Sequence, residues 1–435
     1  MIKNLIVVFV AFIAVNTFAQ QGTVSPYSFY GIGTLNFRGT VENRSMGGLS
    51  IYNDSIQLNL RNPAFHTGNN LKSFNDESRP VRFGVGGNFN NTSLKTQNAS
   101  SSVASTTFEY LALNLPAGKF GFTLGLIPFS SVGYNLQDLN DDGLLTNRYE
   151  GEGGLNKVFL GVGYSVSRNF RVGINLDYNF GNIENSSIAF VRDNEGNLLQ
   201  FQTKQSNASN LSGLNYTLGA TYSTKFKEKY DLITSATFKP QSNLTSLNER
   251  VFSTIIVNPS TGADSEVDRI DADLEGSGLA ETKLTLPSRF AFGAGIGETH
   301  KWFLGAEYSL LQTSKFANPI VNIDNTTFED SYGIAVGGFY IPDYNAFKGY
   351  LKRVVYRSGF RYETTGLNIN NQSIDEFGIT FGVGLPIGRY GTNLNIGFEY
   401  GQRGTTSQNL IKEGFFNTHI SLTLNDRWFE RRKYN

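Results

Sequence analysis

Residues 170–180 read Phe170-Arg171-Val172-Gly173-Ile174-Asn175-Leu176-Asp177-Tyr178-Asn179-Phe180. Even positions are apolar or aromatic and odd positions are charged, amide or glycine, a strict period of two. Successive side chains of an extended chain point to opposite faces, so one face of this strand is greasy and the other wet. The phase recurs in 158–166, in 377–385 with Gly378, Thr380, Gly382 and Gly384 on the wet side, in 393–400 and in 416–424.

About fourteen such segments follow one another, starting near residues 81, 106, 118, 154, 169, 211, 230, 286, 301, 331, 350, 376, 391 and 414. Each fits the roughly 9–11 residues that cross a bilayer at a tilt. Connections alternate in length. Those at 116–119, 167–169, 297–301 and 386–391 are short, whereas 135–152, 184–210, 245–284 and 313–330 are long and rich in Asn, Ser, Thr and Asp. Short periplasmic turns and long outer loops are the pattern of outer-membrane barrels, and an even strand number puts both termini in the periplasm. Tyr178/Phe180, Tyr356/Phe360/Tyr362, Phe398/Tyr400 and Trp428/Phe429 fall where a headgroup-level belt places aromatics. A propeller would show a blade-length repeat, which is absent, and a sandwich does not account for aromatics at strand ends. The expected fold is all-β: a transmembrane antiparallel barrel of about 14 strands in the outer membrane of a Gram-negative bacterium, in contact with its lipid.

Composition narrows function mainly by exclusion. Lys+Arg and Asp+Glu both number 37, so no global charge recruits nucleic acid. A mean hydropathy of −0.25 opposes a bundle of membrane helices. With no cysteine there is no disulfide, thiolate ligand or cysteine nucleophile. His66, His300 and His419 lack metal-ligand spacing and no G-x-S-x-G elbow occurs, so neither enzyme nor cofactor is expected. Asp138, Asn140 and Asp142 match the first half of a calcium loop, but Tyr149 stands where a bidentate Glu belongs, and the stretch reads as a solvated acidic turn.

Three regions follow. Met1–Ala19, with Lys3, the apolar run 5–15 and Thr17-Phe18-Ala19, reads as a secretory signal peptide. Residues 20–80 lack sustained alternation, and 81–435 form the barrel, ending in a basic periplasmic tail at 430–435. Lumen positions as small as Gly84, Gly161, Gly293 and Gly382 would leave an open bore unless 20–80 occupied it as a hatch.

Within that segment, Arg44-Ser45-Met46-Gly47-Gly48-Leu49-Ser50-Ile51-Tyr52-Asn53-Asp54 followed by Arg61-Asn62-Pro63-Ala64 resembles the N-terminal signature of the FadL-like outer-membrane barrels. Leu286-Pro287-Ser288-Arg289-Phe290 is similar to a Pro-led strand in that family's second half, while Ser25-Pro26-Tyr27-Ser28-Phe29-Tyr30-Gly31 resembles an uncharacterised branch rather than the fatty-acid transporters. The resemblance implies a hatch in the lumen and passage of small hydrophobic, fatty-acid-like compounds. Some relatives instead serve as non-conducting accessory barrels of secretion or assembly complexes, with other outer-membrane proteins as partners. Physically, Gly47 and Gly48 permit positive φ or close approach to a wall, Pro63 holds Asn62 out of the helical region, and Asp54 is the motif's acidic member.

If Val354, Tyr356, Phe360 and Tyr362 face lipid, then Arg353, Arg357, Arg361 and Glu363 share an inner wall. The same phase places Arg82, Arg171, Asp177, Arg289, Glu307, Glu399 and His419 inside. Charges in a narrow lumen persist only when hydrated or paired, so these residues should pair with one another and with the hatch.

Overall fold

A computed structural model describes residues 23–35, 37–52, 56–67, 80–140, 142–193, 195–258, 260–320, 325–388 and 391–426. The signal peptide, Asp54, the Trp428/Phe429 pair and the basic tail lie outside the described residues.

The alternating segments form β1 (Val81–Lys95), β2 (Ser100–Ala117), β3 (Phe120–Leu139), β4 (Leu145–Ser165), β5 (Phe170–Ala189), β6 (Gln202–Phe226), β7 (Tyr230–Lys239), β8 (Arg289–Glu298), β9 (Trp302–Leu311), β10 (Ser331–Tyr340), β11 (Val355–Ile369), β12 (Gln372–Pro386), β13 (Asn393–Arg403) and β14 (Lys412–Asp426). Each pairs antiparallel with the next, and β14 returns to β1 from Asp426↔Val81 to Lys412↔Lys95, closing a fourteen-stranded barrel. Closure satisfies backbone groups that bilayer hydrocarbon cannot. Among the described residues no helix is long and apolar enough to cross a membrane.

Burial is inverted relative to a water-soluble sheet. Outward Phe122, Leu124, Leu160, Leu176, Leu214, Phe292, Leu304, Phe381, Tyr400 and Ile420 are exposed, while Asn175, Asp177, Asn179, Arg361, Glu399, His419 and Thr423 are buried. A continuous apolar girdle of this extent needs lipid as its solvent.

All four expected long loops prove to contain strand: β3 and β4 run through most of 135–152, β5 and β6 extend into 184–210, and the other two hold strands of their own. Within and beside 245–284 run Ser242–Val257, Asp264–Asp271 and Glu281–Leu286, and within 313–330 lies Thr326–Phe328. β6 is 25 residues long, more than a bilayer crossing needs, and its far half, Gln202–Ser212, pairs with Ser242–Val257 rather than with β7. In this upper wall the phase is reversed, with Leu244, Leu284 and Leu286 buried inward and Glu281 and Lys283 exposed, so it lacks the outward apolar face by which the membrane strands are recognised.

One interruption breaks the ring. β2 and β3 pair only from Leu111↔Leu126 to Ala117↔Phe120. Beyond that point Ser100–Tyr110 pairs with β1 alone and Ile127–Leu139 with β4. Pro128 supplies no N–H, and register shifts lie at Pro128/Ser130 in β3 and opposite Glu109 in β2. Bulges and proline bend a strand away from its partner. Residues 127–133 therefore lose alternation, with Ile127, Ser130, Ser131 and Val132 all buried. The freed β3 edge is partly taken by residues Thr34 and Leu35, which pair with Ser131 and Ser130.

From residue 37 onward the N-terminal chain meets inward groups on strands around the ring. Asn62 Oδ1 accepts from the Ala64 N–H at 3.0 Å and caps the short helical turn Pro63–Thr67, with proline at its first position. Gly47 and Gly48 hold φ of 72° and 86°. The wall gives way to backbone: a Cβ on Gly173 would lie 2.3 Å from the Pro63 carbonyl oxygen, one on Gly359 2.2 Å from the Gly47 nitrogen, and one on Gly121 2.1 Å from the His66 carbonyl oxygen. Gly173→Leu should therefore dislodge the 62–67 turn at a cost of about 1–3 kcal/mol. Limited proteolysis is expected to cut 56–67 roughly tenfold faster or more, with strand content by circular dichroism unchanged.

Candidate functional site

The densest chemistry in the lumen is a chain of buried charges. It is built on β11, β12, β13 and β14, whose inward positions alternate with lipid-facing aromatics. Glu376 on β12 accepts from Arg38 of the N-terminal chain at 2.9 Å, from Arg403 on β13 at 2.5 Å and, by a very short contact, from Arg361 on β11. Arg38 also reaches Glu363, Arg361 reaches Glu399 at 2.6 Å, and Arg403 continues to Glu413 at 3.5 Å. Glu413 in turn accepts from the Ser25 hydroxyl at 2.5 Å. A second branch joins Arg44 to Glu109 at 3.1 Å, with His419 Nδ1 3.0 Å from Glu109 and its Nε2 3.6 Å from Glu399. Opposite charges in contact offset the desolvation that any one of them would incur alone.

Further ties fix the N-terminal chain to the remaining wall. Glu307 on β9 accepts from the Ser50 N–H at 2.8 Å and from Arg61 at 2.9 Å. Glu42 accepts from Asn395 at 2.9 Å and Thr423 at 3.2 Å. Arg82 donates to the Gln57 carbonyl at 2.6 Å, and His66 Nε2 lies 2.8 Å from Asn175 Oδ1. Burial pushes the His66 imidazole down to about 4, with the Asn175 contact opposing. At neutral pH this ring is uncharged in the fold.

Two cavities flank residues 34–38. One of about 530 Å³ lies between β2 and β3 at the break in the ladder and is bounded by the charge chain. The other, about 290 Å³, is lined by apolar Ile32, Leu60, Leu286, Phe316, Phe328 and Leu367 and also by the cationic Arg61, Lys157, Lys239 and Arg289.

Of the residues singled out in the sequence, Arg361 and Glu399 meet in the chain, and Arg357 bonds Asn395 at 3.2 Å. Asp177, fully buried, pairs with Lys157 at 3.4 Å, Arg171 reaches Ser223 at 3.3 Å, and Arg289 borders the apolar cavity. Arg353 departs from expectation: it is exposed and stacks over Tyr350, while Val354 beside it is buried rather than lipid-facing. The strand starts only at Val355, so the alternating phase does not extend back to either residue. Asn140 spends its side-chain oxygen on the N–H groups of Asp142 and Leu144, holding the acidic turn. Sequence reading overlooked Glu376, Arg403 and Glu413, although each continues the inward phase of its strand. Glu109 was hidden because the bulge beside it reverses the phase of β2.

Glu376→Gln removes the charge shared by Arg38, Arg361 and Arg403, and breaking a buried network from one side costs about 3–5 kcal/mol. Heat-modifiability on gels should show the folded barrel melting at lower temperature. Protease should reach 37–52 before the strands.

The fold is shared with solved hydrocarbon channels. The CymD monoaromatic hydrocarbon channel is 14% identical, covers 90% of this chain and 98% of its own, and superposes with a TM-score of 0.57. The Pseudomonas putida toluene transporter TodX is 12% identical over 89% and 97%, with a TM-score of 0.57. A Pseudomonas aeruginosa FadL homologue is 12% identical over 90% and 98%, with a TM-score of 0.54. These likenesses carry the barrel architecture, which is that of FadL-like proteins. No curated protein matches the chain. The family model of BamG matches residues 1–435, and the chain accordingly belongs to the BamG family.

Proposed function

We propose that this chain is an outer-membrane barrel that passes small hydrophobic compounds, with both termini periplasmic and residues 20–80 acting as the hatch that gates the lumen. The observation that supports the reading is the interrupted β2–β3 ladder, which we take as the place of a side exit toward the lipid. A cavity of about 290 Å³, with apolar walls interrupted by Arg61, Lys157, Lys239 and Arg289, lies on the other side of residues 34–38 from that break. Its size stands at the small end of ligand pockets and favours a compact apolar compound over an extended fatty-acid chain. Structural neighbours named as toluene and monoaromatic hydrocarbon channels support the same class.

A second reading, a non-conducting accessory barrel in an outer-membrane secretion or assembly complex, is favoured by the ion pairs that tie Arg38 and Arg44 to the wall. A hatch held this firmly suits a scaffold. Uptake of a labelled monoaromatic hydrocarbon by cells with and without the chain separates the readings. Transport predicts faster uptake with the chain, and Leu286→Trp, which fills the apolar cavity, should return uptake to the level of cells lacking it while the barrel still migrates as folded. Equal uptake in all strains, with stoichiometric copurification of another outer-membrane protein, would instead establish the accessory role.

A further inference from the structure

A third cavity, of about 460 Å³, lies in the upper wall, at the rim opposite the Val81 and Asp426 ends. Its volume is that of a small-ligand site. Unlike the two cavities beside residues 34–38 it is nearly uncharged: among the described residues, Arg250 is its one ionisable side chain apart from two tyrosines. One transverse row of residues builds its wall. Tyr134 on β3 pairs with Gly151 on β4, Gly151 with Asn185 on β5, Asn185 with Asn207 on β6, and Asn207 with Arg250 on the Ser242–Val257 strand.

The row offers two kinds of surface. At one end a Cβ on Gly151 would lie 2.2 Å from Tyr134 Cε1, so the tyrosine ring lies over bare backbone. Phe29 meets that ring at 5.1 Å and 85° and meets Tyr149 at 5.8 Å and 65°, so the three rings form a corner. At the other end amides hold one another. Asn207 Oδ1 accepts from Arg250 Nε at 2.6 Å, and Asn207 Nδ2 donates to Asn185 Oδ1 at 3.0 Å. That arrangement leaves Asn185 Nδ2 to donate, Gln205 Oε1 to accept and Ser187 Oγ to do either. All three residues line the cavity and are half-buried, and none of these atoms is sealed in the wall.

We infer that this chamber binds a neutral saccharide, with one sugar ring laid on Tyr134 and its hydroxyls turned to Asn185, Ser187 and Gln205. A sugar has an apolar C–H face and a rim of hydroxyls that both donate and accept, which matches the ring wall and the amide wall together. A hydrocarbon would take water from the amides and return no hydrogen bond. An anion would find Arg250 alone, and that guanidinium is already engaged by Asn207 and by the Ile320 carbonyl at 3.3 Å. The site is distinct from the hydrocarbon path, and binding there holds whether or not the lumen conducts.

The test uses full-length barrel in a polyoxyethylene detergent, which carries no sugar. It is applied to an array of neutral, carboxylated and sulfated oligosaccharides that includes the oligosaccharide released from the cell's own surface glycolipid, and the affinity of the best-retained glycan is measured by calorimetry. Neutral glycans should be retained. Preference for the cell's own glycan would identify a membrane glycolipid as the source, and preference for the others a free oligosaccharide. Tyr134→Ala should weaken binding about tenfold and Tyr134→Phe, which keeps the ring, should retain it. Ser187→Ala with Gln205→Ala should also weaken it about tenfold, with folded gel mobility intact. Should Tyr134→Ala not fold, the double variant carries the test. Retention of no glycan, retention confined to charged glycans, or affinity unchanged in the double variant would overturn the site.

Discussion

Glu376 accepts from Arg38, Arg361 and Arg403, and the rest of the lumen is organised around that shared charge. A carboxylate this deeply buried is tolerated only with counter-charges in contact. Two of its arginines come from the wall and one from the N-terminal chain, so the node makes the inner chain part of the barrel. Arg44 pairs with Glu109 on β2 and Arg61 with Glu307 on β9, so the same inner chain is held on both sides of the node. The glycines complete the arrangement, because backbone carbonyls of residues 63 and 66 lie where side chains would otherwise stand.

Most of the membrane barrel was legible in the sequence because lipid imposes a harsh rule. Outward positions must be apolar, so alternation such as that of 170–180 survives wherever a strand crosses. The rule ends at the membrane surface. The Ser242–Val257, Asp264–Asp271 and Glu281–Leu286 strands stand beyond it and carry polar groups on both faces, so composition alone presents them as loops. At the other end of a crossing, Arg353 fits the phase of β11 but lies outside the strand, and periodicity cannot say where a strand begins.

The charge chain was partly legible. Arg361 and Glu399 follow from the outward aromatics that alternate with them, and the same phase carried one residue beyond 377–385 reaches Glu376 and three residues beyond 393–400 and 416–424 reaches Arg403 and Glu413. What periodicity could not reach were partners across the lumen, since Arg38 lies more than 300 residues from Glu363 and Glu376. The bulge at Glu109 and the bend at Pro128 also break the phase on which such reading depends. These are the same two features that interrupt the β2–β3 ladder, the least regular part of the ring.

Hydrogen–deuterium exchange on the full barrel in lipid nanodiscs tests the central claim, that the inner chain is held as part of the wall. Amides of Arg44, Ser45, Gly47 and Gly48, which are hydrogen-bonded within the segment or to Thr380, should exchange as slowly as those of β11–β13. Exchange of these amides at the rate of the outer loops, with the strands still protected, would contradict it.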